Sequence, residues 1–108
     1  MPKWIDIHTP GETGSEGGEI LRDEETAGAR ITLEQGGIVA PFSITCGIYG
    51  WMMHTRFCSD RRAADRDYEA MRAELGTIVE QIPHRDTPEN GQTERVSAAI
   101  SAFVKRFP

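Results

Sequence analysis

The chain is poor in cysteine, in aromatic residues and in positive charge, and it has no long apolar run; each shortage closes off a class of protein. Two cysteines among 108 residues cannot build the disulfide framework of small secreted domains, and they are expected to stay reduced as small buried hydrophobes. Twelve basic residues against 17 acidic ones give a net charge of -5. Neither nucleic acid nor an anionic membrane then finds the basic field that a non-specific grip needs. The apolar-leaning stretch from Ile38 to Met53 is broken by Pro41, Ser43, Thr45, Gly47 and Gly50, and it falls short of the ~20 apolar residues of a membrane-spanning helix. The start, Met1-Pro2-Lys3-Trp4-Ile5-Asp6, has neither a basic stretch nor the apolar core of an export signal, so the expected location is the cytoplasm.

What is present fits one domain over residues 1–108, long enough to bury a core without staples. Charge is uneven: residues 1–40 carry eight acids against three bases, while the remaining 68 sum to zero. Thr9 to Gly18 holds four glycines, a proline and no apolar residue. Such a segment cannot offset its ordering entropy by burial, and 9–18 is expected to be a flexible Gly-rich loop. The segment before it, Trp4 to His8, has the character of a short edge strand.

Two hairpins follow. Ile20 to Glu24 and Ala29 to Glu34 flank a turn cluster, Glu25-Thr26-Ala27-Gly28, and Ala29, Ile31 and Leu33 share one face. Pairing Glu24 with Arg30 sets Leu21 opposite Leu33, with Asp23 opposite Ile31 as the weak point. Phe42, Ile44, Cys46 and Ile48 then alternate until the apolar phase slips at Tyr49-Gly50. A two-residue turn there pairs Ile48 with Trp51, Cys46 with Met53 and Ile44 with Thr55; the non-ideal turn sequence leaves a wider loop or a bulge at Gly50 open.

The rest is helical. Ala64, Tyr68, Met71, Leu75, Ile78 and Ile82 step by four and three, which predicts a helix capped by Ser59 or Asp60 and stopped by Pro83. Val96, Ile100, Phe103 and Phe107 mark a second helix starting near Thr93, with Thr87-Pro88-Glu89 as an earlier cap and Gly91 weakening continuity. The predicted fold is α+β: an antiparallel sheet of about four strands, with an optional N-terminal edge strand, and two C-terminal helices on one face. The other face would be open and would show Arg22, Arg30, Thr32, Ser43, Thr45, Met52, His54 and Arg56.

No motif identifies a reaction. Cys46, His54 and Cys58 are zinc-ligand types, but they supply only three ligands without a paired Cys-x2-Cys knuckle, and the predicted register sets Cys46 on the face opposite His54 and Cys58; no metal or cofactor is expected. That register also holds the cysteines about 17 Å apart along the strand, against the ~5.5 Å of a disulfide. A nucleophilic thiol needs a base in reach, which Cys46 lacks in this register; for Cys58 the candidate bases are His8 and His84. Gly47 to Gly50 lacks the phosphate-loop lysine. Arg56 and Arg61, with Ser59, gather at the start of the first helix, where free N–H groups favour a small anion; the solvated alternative pairs Arg61 with Asp65. The leading expectation is a small binding or regulatory module without catalysis, a homodimer through its open sheet face. The alternative is a small enzyme or a binder of a small anion or metabolite, with a pocket lined by Arg30, Tyr49, His54 and Arg56.

Overall fold

Strict alternation along Ala29–Gln35 and Phe42–Ile48 gives each strand one apolar and one polar face, and this period organises the molecule. The computed structural model describes residues 3–82 and 92–108. Its elements run β1 (Ile5–Asp6), β2 (Glu19–Thr26), β3 (Ala29–Gln35), β4 (Phe42–Ile48), β5 (Met52–Cys58), α1 (Arg61–Glu80) and α2 (Gln92–Arg106). The strands form one antiparallel meander in chain order, with β1 and β5 at its edges. This is the expected α+β class with C-terminal helices, and the short N-terminal strand is present.

The inner face is apolar. Ala29, Ile31, Leu33, Ile44, Cys46 and Ile48 are all at most 2% exposed, and they meet Ala64, Tyr68, Met71, Leu75 and Ile78 of α1 together with Val96 and Phe103 of α2 in one core. Both predicted helical stripes are therefore the buried ones. Each such aliphatic side chain contributes roughly 1.5–3 kcal/mol on burial. Asp60 caps α1, its Oδ1 accepting from Ala63 N at 2.8 Å, while the expected stop at Pro83 and the cap around Thr87 to Gly91 lie outside the described residues. Tyr68 carries the one hydroxyl in this core contact, and it donates to Glu24 Oε1 at 2.8 Å.

Both hairpin registers differ from expectation by one residue. A two-residue turn, Ala27-Gly28, sets Thr26 opposite Ala29, Asp23 opposite Thr32 and Arg22 opposite Leu33, and an irregularity at Leu21 then restores Ile20 to Glu34. Asp23 thus escapes Ile31 and meets a hydroxyl. In the second hairpin Ile48 pairs with Met52, Cys46 with His54, Ile44 with Arg56 and Phe42 with Cys58. Gly50 explains this. The favoured two-residue hairpin turns take a positive φ at their first central residue, and Tyr49 does not adopt one. Instead Gly50 takes φ 80 in a turn closed by Trp51 N to Ile48 O at 2.9 Å, and Trp51 becomes a third loop residue. Met52, His54, Arg56 and Cys58 consequently face the helices, while Met53, Thr55 and Phe57 take the outer face.

Candidate functional site

The outer face is where strand periodicity leaves polar side chains, yet several of them are buried. Asp23 and Glu34 are each 1% exposed, and Ser43 2%. Residues 9–18 lie across β2 and β3 as a strap, held at its base by Gly11 N to Ile20 O at 2.9 Å and Ile20 N to Glu12 O at 2.8 Å. The open face expected from the sequence is thus half covered. Two carboxylates receive the strap. Asp23 accepts from Thr9 Oγ1 at 2.6 Å, from Thr32 Oγ1 at 3.0 Å, and from Arg30 Nε and Nη2 at 2.9 and 2.6 Å. Glu34 accepts from Glu16 N and Gly18 N, both at 3.1 Å. Burial alone raises the Asp23 carboxyl, but the hydrogen bonds from Arg30, Thr9 and Thr32 outweigh it and hold the group below the usual carboxylate range. The same contact raises Arg30.

Between the strap and the exposed side of β5 lies a groove of about 680 Å³, within the size range of small-ligand sites. Arg30, Thr32 and Thr45 contribute to its floor, Glu12 to Ser15 of the strap form one wall, and Tyr49, Trp51 and Met53 stand on the other side. Thr45 and Thr55 share a hydroxyl–hydroxyl hydrogen bond at 3.2 Å beside it. Tyr49 is 80% exposed, Met53 81% and Phe57 43%, so the β5 side is rimmed with apolar groups that the fold does not cover.

The six candidate site residues are divided among three places. Arg30 and Tyr49 line the groove. His54 and Arg56 are on the inner face, through the sheet from it, so the single pocket lined by all four is not assembled. There His54 Nε2 donates to the Phe107 carbonyl, and Arg56 bonds Asp67 Oδ2 at 2.9 Å and the Pro108 carbonyl at 3.3 Å; these two side chains fasten the end of α2 to β5. Ser59 and Arg61 are at the start of α1, where Arg61 pairs with Asp65 at 3.1 Å and Asp60 accepts a first-turn N–H. Arg56 and Arg61 each have a carboxylate partner, and the exposed Arg61–Asp65 pair is the one that the solvated alternative names.

The shifted register also places Cys46, His54 and Cys58 on one face, correcting the parity that separated them. Among the described residues no group of three or more His, Cys, Asp or Glu side chains is disposed to hold a metal. Both cysteines are free and buried. Burial pushes the Cys46 thiol up to about 12, and burial with the neighbouring Asp67 raises Cys58; thiols in such surroundings are poor nucleophiles at neutral pH. His8 is at the far β1 end of the sheet, and His84 lies outside the described residues. Residue reasoning missed Asp23, Glu34 and the strap as parts of one surface. The available signal was two carboxylates on the polar faces of interior strands, next to a segment dense in glycine. Comparison with known proteins adds no relative: no family model, no curated protein and no solved structure matches this chain.

Proposed function

We propose that this chain is a small cytoplasmic binding module, without catalytic chemistry of its own, that associates with a second copy through the outer face of its sheet. The observation that carries this reading is the concentration of Tyr49, Met53 and Phe57 on one uncovered surface along β5 and its turn. Apolar groups clustered beside a groove are a feature of interaction surfaces, whereas scattered ones need no explanation. The raised cysteine thiols support the non-catalytic part. Among the described residues no helix is long and apolar enough to cross a membrane. Light scattering over a micromolar concentration series is expected to report twice the chain mass; a single-chain mass throughout would remove self-association.

A second reading is small-ligand binding, favoured by the groove itself. Its apolar β5 side and threonine floor, facing a strap wall that includes the Glu12 carboxylate and with Arg30 already paired to Asp23, fit a largely uncharged ligand better than a small anion. A metabolite panel followed by thermal shift tests it: a ligand-dependent rise in a chain that stays monomeric would place this reading first.

A further inference from the structure

An edge strand presents a row of backbone N–H and C=O groups able to pair with another chain, and proteins ordinarily blunt such edges with short length, proline, charge or bulges. The two edges of this sheet differ in that respect. β1 is two residues long and includes Asp6. β5 is seven residues long, its pairing to β4 runs unbroken from Phe42–Cys58 to Ile48–Met52, and it contains no proline, lysine or acid. Its one arginine is tied to Asp67. Among the described residues no strand pairs with its outer edge.

We propose that β5 pairs antiparallel with β5 of a second copy about a two-fold axis at Thr55, making a continuous sheet in which the partner's Phe57 completes the outer wall of the groove. This rests on the self-association reading above and specifies its geometry. Residues facing each other across antiparallel strands share a face, so the two sheets continue one another only in registers pairing residues of like parity. Of these, the register centred on Thr55 engages all seven residues; a shift by two residues leaves two unpaired. It also sets Met53 opposite the partner's Phe57, and Phe57 opposite the partner's Met53, on the outer face. The two uncovered apolar side chains of the strand thereby cover each other, a sulfur–aromatic contact of the kind that packs well. Met53 is a groove residue, which is why the ring beside it becomes part of the groove.

Thr55→Cys tests the register directly. Opposed Cα atoms in a paired sheet are within the distance a disulfide spans, and the native Cys46 and Cys58 are buried. Mild oxidation is expected to convert most of the variant to a linked dimer by non-reducing mass measurement. Met53→Cys, whose two copies would be about 13 Å apart along the strand, is expected to stay unlinked. Thr55→Lys, which sets two cations face to face at the axis, is expected to halve the mass seen by light scattering with circular dichroism unchanged. A wild-type dimer in which Thr55→Cys fails to link, or Met53→Cys links as readily, would overturn edge pairing and leave self-association standing. A wild-type monomer at every concentration overturns both.

Discussion

On its inner face β3 offers Ala29, Ile31 and Leu33, each buried beneath the helices by apolar contact; on its outer face the alternating Thr32 and Glu34, with Asp23 across from Thr32, are buried by a strap of polar sequence. One strand is thus closed on both sides by different physics. Apolar burial is non-directional and grows with area, whereas a buried carboxylate is tolerated only while donors reach it. The strap supplies those donors, Thr9 Oγ1 to Asp23 and two backbone N–H groups to Glu34. The inner closure should therefore fail globally and the outer one locally.

Truncating the inner face should cost most. Leu33→Ala removes a fully buried side chain from the middle of the core and is expected to lower unfolding stability by about 2–5 kcal/mol, read from urea melts, with the loss shared by strands and helices. The outer counterpart is Asp23→Asn, which breaks a bidentate arginine contact in which Arg30 is half exposed. A loss of about 1.5–3 kcal/mol is expected at neutral pH. The pH dependence has a definite sign. The folded Asp23 carboxyl is below its ordinary value, so its contribution is complete above pH ~4 and disappears as pH falls through the folded value. The gap between wild type and Asp23→Asn should close in that acid window; a gap constant from neutrality into strong acid would mean that the carboxylate is not what holds the outer face.

How much of this could be read from the residues follows the same division. Period-four-and-three stripes located α1 and α2, and the alternation of Ala29 to Leu33 and Phe42 to Ile48 located the core strands, because burial in apolar surroundings leaves a regular trace. The registers slipped by one residue at both turns because they are set by which residue takes a positive φ, Gly28 in one and Gly50 in the other. That one-residue error carried His54 and Arg56 through the sheet, away from Arg30 and Tyr49. The strap was harder still. Its polar, glycine-dense sequence resembles an unstructured loop, and beyond its backbone bonds near Ile20 it is held by carboxylates distant in the chain, Asp23 and Glu34, which no local pattern reveals.

Gly14 offers the finest test of the comparison, since its role is to lack a side chain. A Cβ added there would overlap the Glu34 carboxyl group, which cannot swing aside without abandoning the N–H groups of Glu16 and Gly18. Its backbone is not in the left-handed region, so strain in φ plays no part, and the substitution isolates close approach as the variable. Gly14→Ala should lift the strap, at a stability loss of about 1 kcal/mol, the low end for overpacking, because the segment can yield toward solvent. Hydrogen exchange is the decisive readout. The Glu16 and Gly18 amides should exchange faster while those of Met71 and Leu75 in α1 keep wild-type protection, as expected for a local opening separate from global unfolding. Equal acceleration in strap and helix would show that the two faces form one cooperative unit, and that the polar closure is as integral to the fold as the apolar one.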